Sequence, residues 1–328
     1  MSERQRSRRV LRWIGGILAG FGAIIIILLI IANMVLNTDR IPGGAVQKYA
    51  TSKDGTIIAY EQTGTGPVVV LVAAALADRG GTRRLAGHLA EHFTVINYDR
   101  RGRGKSTDTQ PYAPEREVED IEALIDASGG AAFLFGSSSG SVLALDAASK
   151  LGSKIKRLFI YEPPFIVDDS RPPMPDDLIH QVSDLTSAGR RNDAVKLFFT
   201  KGMGIPGPAV ALMRLFMPGW SKMAGMSHTL RYDLSLLAGT QTGKPLPAGR
   251  WAAVTAPILV EVGSKSEAFF HHGAESLART LPNAHYLSLE GRDHSAVLLA
   301  PKALATAAEQ FFLSADNSKS AYEKSNSE

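Results

Sequence analysis

One short segment carries residues whose types and spacing could support nucleophilic chemistry. Residues 133–141 read F-L-F-G-S-S-S-G-S, and Ser138 alone among the consecutive serines has a glycine two positions away on either side. Between a buried strand and a helix, such a serine lies in a strained turn that exposes its hydroxyl. The backbone N–H of Ser139 would then face the charge that develops on a carbonyl under attack. A flexible serine-glycine turn is the alternative, but the flanking apolar patterns favour a nucleophile.

A serine nucleophile needs a base, and His294 is the histidine best placed to serve. It follows the last predicted strand, far downstream of Ser138, which permits the chain order serine, acid, histidine. His271 and His272 are adjacent and could bind a metal, but no third ligand has suitable spacing. We interpret them as a solvent-exposed pair, and the sequence predicts neither a metal nor any other cofactor.

Several other kinds of site are excluded by residue type. The chain of 328 residues contains no cysteine, which rules out a thiol nucleophile, disulfides and thiolate metal sites. Residues 104–106, G-K-S, match the last three positions of a Walker A motif, but Asp99 occupies the position of its first glycine. Gly102 and Gly104 match only part of a dinucleotide-binding motif. We therefore interpret this glycine-rich segment as a turn rather than a phosphate-binding loop.

The elements that must position these residues alternate along the chain. Apolar runs predict strands at 56–62, 68–73, 93–98, 131–135, 158–161, 258–262 and 285–289. Helical patterns lie between them, at 83–92, 115–127, 141–151, 274–281 and 303–313. Alternation of this kind predicts the α/β class, with a mainly parallel sheet and helices on both faces.

The alternation stops between Pro163 and about Ala256. This stretch holds many prolines and five of the eight methionines: Met203, Met213, Met217, Met223 and Met226. The methionines could fill gaps between packed helices, or they could form adaptable walls for an apolar ligand beneath a cap over the edge of the sheet. Both interpretations are compatible with the pattern.

Several motifs in order make residues 45–313 resemble the α/β-hydrolase fold. Residues 98–106, Y-D-R-R-G-R-G-K-S, are similar to the D-x-R-G-x-G-x-S turn that follows the fourth strand in this family. The Ser138 turn, an insertion after residues 161–164, the turn at 263–267 and His294 follow in family order. The resemblance implies a helical cap at about 164–250, inserted after the sixth strand, but it does not specify a substrate.

The chain departs from the family pattern at two places. Many members carry His-Gly after the third strand, before the residue whose N–H completes the oxyanion hole; this chain has Ala73-Ala74 there. Any residue except proline keeps a backbone N–H, so the resemblance assigns the second oxyanion donor to Ala75, beside Ser139.

The second departure concerns the acid of the triad. The family usually has an aspartate three residues after the glycine that ends the seventh strand, and Ser266 occupies that position. Glu267, the next residue, is the first candidate for the acid. Glu162, at the end of the sixth strand, is the alternative, because some members place the acid there. A serine-histidine dyad without an acid is the third possibility, since loss of the acid weakens such a mechanism without abolishing it.

The N-terminal region predicts a membrane anchor. Residues 13–36 carry no charged side chain, and a helix of that length can cross a bilayer. Residues 1–12 carry five arginines and one glutamate, which favours a cytoplasmic N-terminal tail and an extracytoplasmic body. Residues 37–44 are interpreted as a linker and residues 314–328 as a disordered tail. A cleaved signal peptide is the alternative to an anchor.

Residues 1–12 account for the whole formal net charge of +4. The remainder of the chain is neutral and has no general field to attract a polyanion, so nucleic acid is not a predicted partner. The expected function is a membrane-anchored serine hydrolase that cleaves small-molecule carboxylic esters with small or apolar acyl groups. A non-catalytic ligand-binding homologue and an acyltransferase or perhydrolase are the alternatives.

Overall fold

A single sheet of eight strands runs through the part of the chain that the structure, a computed structural model, describes, namely residues 44–314. The strands are β1 Val46–Thr51, β2 Ile57–Thr63, β3 Val68–Val72, β4 Thr94–Tyr98, β5 Ala132–Ser137, β6 Ile155–Tyr161, β7 Ile258–Gly263 and β8 Ala284–Leu289. Their order across the sheet is β1-β2-β4-β3-β5-β6-β7-β8. Only the β1–β2 and β2–β4 pairs are antiparallel in this sheet. The carboxyl ends of β3, β5, β6, β7 and β8 therefore share one edge.

Helices cover both faces of the sheet. They are α1 Arg83–Leu89, α2 Pro114–Asp126, α3 Ser139–Leu151, α4 Leu178–Ser187, α5 Arg191–Leu197, α6 Gly207–Phe216, α7 Trp220–Gly225, α8 Leu230–Leu236, α9 Ala268–Thr280, α10 Ala296–Leu299 and α11 Pro301–Leu313. Short 3₁₀ turns occur at Arg79–Gly81, Gly152–Lys154 and Ser227–Thr229, and a π-helical turn at Phe198–Gly202.

The central strands are apolar throughout because both of their faces are buried. Val70 and Val72 of β3 enter one core, together with side chains of α2, α3 and α9. Val69 and Leu71 of the same strand enter the opposite core, with side chains of α1 and α11. A strand covered on both sides loses the alternation of polar and apolar residues, which explains the uninterrupted apolar runs in the sequence.

The cap consists of α4 to α8, inserted between β6 and β7. Its helices have a hydrophobic cluster of their own, in which the rings of Phe199 and Trp220 pack with their centroids 5.8 Å apart. Met213 is packed against this cluster, as are Met203 and Met223. The insertion therefore packs as a small helical unit over the carboxyl edge of the sheet.

The predicted α/β class with a mainly parallel sheet is confirmed. All seven predicted strands are present, with ends that differ from the predictions by no more than three residues. The prediction omitted β1, an edge strand in which Val46 and Tyr49 remain more than half exposed. A strand with such exposed apolar positions lacks the continuous or alternating pattern by which strands are recognised.

The predicted membrane span at 13–36 lies outside the described residues, as do the tail at 1–12, nearly all of the linker at 37–44 and nearly all of the C-terminal tail at 314–328. Within residues 44–314, no helix has the length and apolar character needed to cross a bilayer.

Candidate active site

Ser138 occupies the sharp turn between β5 and α3. Its backbone has φ +52° and ψ −125°, a conformation that side-chain-bearing residues rarely adopt. A Cβ on Gly136 would lie 2.7 Å from the carbonyl oxygen of Gly140, and one on Gly140 would lie 2.3 Å from the carbonyl oxygen of Val72. Both glycines are thus required by close backbone approach, and the strained turn presents Ser138 to the pocket at the edge of the sheet.

His294 lies in the loop between β8 and α10 and lines the same pocket. Its Nδ1 lies 2.6 Å from Oε2 of Glu162, which is fully buried. Because an ionised carboxylate can only accept, Nδ1 carries the hydrogen of this bond and Nε2 is left free to accept a proton. The imidazole also stacks on the ring of Phe270 at 4.7 Å. The ring is therefore held both by a charge and by a packed aromatic face.

The carboxylate of Glu162 is held in turn from the β7 side. Its Oε1 accepts hydrogen bonds from the backbone N–H of Gly263 at 2.8 Å and from the hydroxyl of Ser266 at 2.5 Å. Glu162 itself has φ +48°, the left-handed region, at the point where the chain leaves β6. Two donors and an unusual backbone turn therefore aim this carboxylate across the ends of β6 and β7.

The expectation that Glu267 is the first candidate for the acid needs correction. Glu267 immediately precedes α9 and lines the pocket, whereas the carboxylate in contact with His294 is that of Glu162. Ser266, at the usual aspartate position, serves as a hydrogen-bond donor to Glu162. Because β6 and β7 are adjacent and parallel, a carboxylate can reach the histidine from the end of either strand.

Ser139 and Ala75, whose backbone N–H groups the sequence predicts as oxyanion donors, both lie beside the Ser138 turn. Ser139 is the first residue of α3, so its N–H has no partner within the helix. Ala75 lies in the loop after β3, and both residues line the pocket beside Ser138. The next residue, Leu76, has φ +55°, so this loop turns sharply immediately after Ala75.

Two buried arginines hold the loop that contains Ala75. Arg100 Nη1 donates to the carbonyl oxygen of Ala73 at 3.2 Å. Arg103 Nη1 donates to the carbonyl oxygens of Ala74 at 2.7 Å and Ala77 at 3.1 Å. Since these carbonyls flank Ala75 on both sides, the arginines fix the direction of its N–H.

Asp233, on α8 of the cap, accepts hydrogen bonds from both arginines and from Ser139 in the turn that carries Ser138. Its Oδ1 accepts from Arg100 Nη1 at 2.7 Å and from Ser139 Oγ at 2.8 Å, and its Oδ2 accepts from Arg103 Nη2 at 2.6 Å. Burial alone would raise the pKa of Asp233, but the charges of Arg103 and Arg100 outweigh burial and lower it. Asp233 is thus an ionised, fully buried residue that connects the Ser139 turn and the arginines behind the Ala75 loop to the cap.

The pocket between sheet edge and cap has a volume of about 510 Å³. Its walls are mostly apolar, and the cap contributes aromatic and methionine side chains: Met174, Phe198, Phe199, Met203, Met223 and Met226. Both sequence interpretations of the methionines apply here, because Met203 and Met223 line the pocket and also pack within the cap. The arrangement suits a ligand with a substantial apolar part.

The glycine-rich turn and the two adjacent histidines, which the sequence analysis considered as possible ligand sites, form contacts within the fold. Asp99 accepts the backbone N–H groups of Arg79 at 2.9 Å and Lys105 at 2.8 Å, so the glycine-rich turn wraps around a carboxylate. His271 Nδ1 forms a hydrogen bond with Tyr286 Oη at 2.7 Å, and His272 Nδ1 lies 2.6 Å from Oδ2 of Asp168. In the described part of the chain, no cluster of three or more histidine, aspartate or glutamate side chains could hold a metal ion.

Comparison with known proteins agrees with this architecture. The model of the alpha/beta hydrolase family matches residues 55–308. An uncharacterized hydrolase, YraK, of Bacillus subtilis is 33% identical over 113 residues, which are 33% of this chain and 42% of that protein. The match thus spans less than half of the length of this relative.

Solved structures extend the similarity to nearly the whole described region. An alpha/beta hydrolase from Sphaerobacter thermophilus is 49% identical, with a TM-score of 0.75, covering 81% of this chain and 100% of that one. A thermophilic esterase from Thermogutta terrifontis is 20% identical, with a TM-score of 0.60, covering 82% and 98%. The enol-lactonase of Burkholderia xenovorans is 22% identical, with a TM-score of 0.60, covering 81% and 100%. The last two show similarity of fold alone.

Proposed function

The chain belongs to the alpha/beta hydrolase family, and we propose that within it the protein is a serine hydrolase of carboxylic esters with an apolar acyl group. The observation that carries the proposal is the 2.6 Å contact between His294 Nδ1 and Glu162 Oε2 in the pocket that Ser138 enters from its strained turn. A nucleophile, an oriented base and an orienting acid are the three parts that acyl transfer through serine requires.

In the proposed reaction, Ser138 Oγ attacks the ester carbonyl carbon while Nε2 of His294 accepts the hydroxyl proton. The negative charge that forms on the carbonyl oxygen is stabilised by the N–H groups of Ser139 and Ala75. Glu162 keeps the ring in the required tautomer and stabilises the imidazolium. The imidazolium then protonates the departing alcohol, which leaves an acyl-enzyme on Ser138.

The second half of the reaction repeats the first with water as the nucleophile. His294 takes a proton from the water as it attacks the acyl-enzyme, and the acid is released when Ser138 recovers its proton. The apolar walls of the pocket would hold the acyl chain. An acyltransferase or a perhydrolase would use the same acyl-enzyme and differ only in its acceptor, an alcohol or hydrogen peroxide.

Hydrolysis of para-nitrophenyl butyrate by the wild-type protein and by Ser138→Ala tests the proposal. We expect turnover by the wild type and none above background by the variant, with circular dichroism verifying that the variant is folded. Equal rates would remove Ser138 from the mechanism. Absence of turnover by the folded wild type would favour a ligand-binding role, and faster acyl transfer when ethanol or hydrogen peroxide is added would favour the transferase or perhydrolase alternative.

We further propose that residues 13–36 anchor the protein in a membrane, with the body on the extracytoplasmic side. The support is the uncharged stretch and the five arginines that precede it. Protease added to intact cells should digest the body while the membrane remains sealed. Complete protection until lysis would reverse the topology, and release of the body into the medium would indicate cleavage of the segment.

A further inference from the structure

Four charged side chains line the pocket outside the groups assigned to the reaction and to Asp233: Asp78, Arg171, Lys222 and Glu267. Asp78 and Lys222 form an ion pair with each other at 2.9 Å. Among residues 44–314, no carboxylate lies within ion-pair distance of Arg171, although Glu267 is near enough to influence its charge. Arg171 is thus a half-buried cation in a mostly apolar pocket without a direct counter-ion.

Contacts from three directions hold the guanidinium of Arg171 in place. Its central carbon lies 4.5 Å from the centroid of the Phe269 ring, within the range of a cation–π contact. Its Nη2 donates to the carbonyl oxygen of Gly202 at 3.1 Å. A Cβ on Gly204, which has φ +71°, would lie only 2.9 Å from Nη2, so the glycine leaves room for the guanidinium. The guanidinium is therefore held in place by the Phe269 ring, by one hydrogen bond and by the nearby backbone at Gly204.

Most of the hydrogen-bonding capacity of this guanidinium remains available. Arginine carries five N–H donors, and within the described residues the one hydrogen bond from the Arg171 side chain goes to Gly202. Burial lowers the pKa of Arg171, and Glu267 opposes that effect from a distance. Arginine nevertheless stays protonated in proteins. A partly desolvated cation with unused donors is stabilised most by an anion that it can bind directly.

A continuous stack of rings links Arg171 to the proposed base. Phe269, beneath the guanidinium, lies 4.0 Å from Phe270 between ring centroids, and Phe270 lies 4.7 Å from the ring of His294. The cation and the reacting centre thus stand at opposite ends of one aromatic wall. A ligand lying along this wall would place an ester at His294 and a second functional group at Arg171.

We infer that Arg171 binds a carboxylate carried by the substrate, so that the preferred substrate is an ester with an aliphatic spacer leading to a carboxylate. This inference rests on the proposed ester hydrolysis and adds a substrate class to it. The aromatic and methionine walls accommodate the spacer, and the planar guanidinium matches a carboxylate in a bidentate geometry. The carboxylate could belong to the acyl or to the alcohol part of the ester, and the test separates the two.

The test compares pairs of substrates with the same spacer, in which the terminal carboxylate is either free or methylated. For the acyl side, these are the mono-para-nitrophenyl ester of suberic acid and the same compound with its free carboxylate methylated. For the alcohol side, they are butyryl esters of an ω-hydroxy acid and of its methyl ester. In at least one pair, the wild type should favour the anionic member in kcat/KM by roughly tenfold to a hundredfold, the effect of charge-assisted hydrogen bonds in a partly desolvated site.

Three variants separate recognition of the anion from a structural role of Arg171. Arg171→Met keeps an unbranched stem over Phe269 but removes the charge, and should abolish the preference mainly through KM, with a larger loss of kcat/KM for the anionic ester than for the neutral ester. Arg171→Lys should retain part of the preference. Lys201→Met removes an exposed positive charge of the same cap segment that does not line the pocket, and should leave the preference intact.

Two kinetic outcomes would overturn the inference. One is hydrolysis of both members of each pair at equal kcat/KM by the wild type; the other is a loss in Arg171→Met that is equal for the anionic and neutral esters. If no ester is hydrolysed, the proposed function fails, and calorimetric titration still decides the inference. Methyl hydrogen suberate should bind the wild type more tightly than dimethyl suberate, and Arg171→Met should lose that difference; equal affinities would overturn it.

Discussion

The carboxyl edge of the sheet and the inner face of the cap enclose one pocket from opposite sides, with different kinds of side chain. At the sheet edge, Glu162 accepts three hydrogen bonds of 2.5 to 2.8 Å, from His294, Gly263 and Ser266. The cap presents mainly phenylalanine and methionine side chains, which fill space without directional bonds. Groups that must be held to a fraction of an ångström therefore come from strand ends, whereas the surface that selects a substrate comes from the insertion.

Asp233 is the exception that connects the two regions. It belongs to the cap, yet it bonds Ser139 beside the nucleophile and both arginines behind the Ala75 loop. The cap thus supplies more than a wall, because one of its carboxylates orders the two segments that carry the oxyanion donors. If this comparison is correct, changes at the sheet edge should lower turnover, changes in the cap wall should alter selectivity, and changes at Asp233 should resemble those at the sheet edge.

Replacement of Glu162 should have the largest effect among the supporting residues. Glu162→Gln removes the charge that stabilises the protonated His294, and we expect kcat to fall by roughly 10²–10⁴ with little change in KM. Glu267→Gln is the matched control in the same pocket and should cost no more than about tenfold. Steady-state kinetics on a para-nitrophenyl ester measures both effects. A large loss in Glu267→Gln with a small loss in Glu162→Gln would instead identify Glu267, after β7, as the acid.

Glu261 contrasts with Glu162, because it is a buried carboxyl near the same edge of the sheet but lacks the hydrogen bonds that hold Glu162. Its Oε2 has no hydrogen-bond partner in the described region, and burial raises its pKa to about 8. The unfolded glutamate ionises near 4.5, so between about pH 5 and pH 8 unfolding releases a proton and the free energy of unfolding falls as pH rises. Glu261→Gln should remove this slope and stabilise the protein by about 2–4 kcal/mol above pH 8.

Urea denaturation over that pH range measures the slope. The control is Glu290→Gln, because Glu290 is exposed and its replacement should leave the pH dependence of stability unchanged. A wild-type free energy of unfolding that rises or stays constant from pH 5 to pH 8, with no gain in Glu261→Gln, would contradict the assignment of Glu261 as a protonated group.

Replacement of Asp233 should lower turnover by a smaller factor. Asp233→Asn weakens the bonds to Arg100, Arg103 and Ser139, and we expect kcat to fall by roughly tenfold to a hundredfold, less than the loss of an oxyanion donor itself would cost, because the donors remain and only their positions loosen. Asp120→Asn is the control, because Asp120 pairs with buried Arg101 at 2.7 and 2.8 Å but does not line the pocket.

Both aspartate variants break a buried ion pair, so both should lower the free energy of unfolding by about 3–5 kcal/mol. Kinetics at a temperature where both are folded then separates positioning from stability. Equal kcat losses in the two variants would reduce Asp233 to a structural residue and remove the proposed connection between cap and oxyanion segments.

The cap wall should give the smallest effect. Met223 lines the pocket, whereas Met213 is packed in the cap without lining it. Met223→Ala should increase the ratio of kcat/KM for an octanoate ester to that for an acetate ester by roughly threefold to tenfold, because the enlarged pocket accepts a longer chain. Met213→Ala should leave this ratio unchanged even if it lowers stability. An unchanged ratio in Met223→Ala would show that the acyl chain binds elsewhere.

The parts of the molecule that sequence reasoning predicted are those encoded by local patterns. The buried strands are continuous apolar runs, and the Ser138 turn is encoded within nine residues. His294 is recognisable because it follows a strand at the right place in the chain order. The edge strand β1 was omitted because its exposed apolar residues leave no regular alternation.

The parts that it missed or left open depend on contacts between distant segments. Glu162 and His294 are 132 residues apart, and only the neighbouring ends of β6 and β7 make Glu162 rather than Glu267 the partner of the histidine. Asp233 lies 130 residues after Arg103, within a region that has no strand signal to position it. The serine at position 266 was a local sign that the acid had moved, and Glu267 and Glu162 were the two candidates, but the local sequence ranked Glu267 first.

The most direct test of the account is the covalent reaction of the intact protein with a fluorophosphonate, followed by mass spectrometry of its peptides. The glycines at 136 and 140 and the strained turn expose the hydroxyl of Ser138, while Ser137 and Ser139 are buried. We predict an adduct on Ser138 in the wild type, no adduct in Ser138→Ala, and retained labelling in Ser137→Ala and Ser139→Ala. Undiminished labelling of Ser138→Ala, or an adduct on another serine of the wild type, would contradict the central claim.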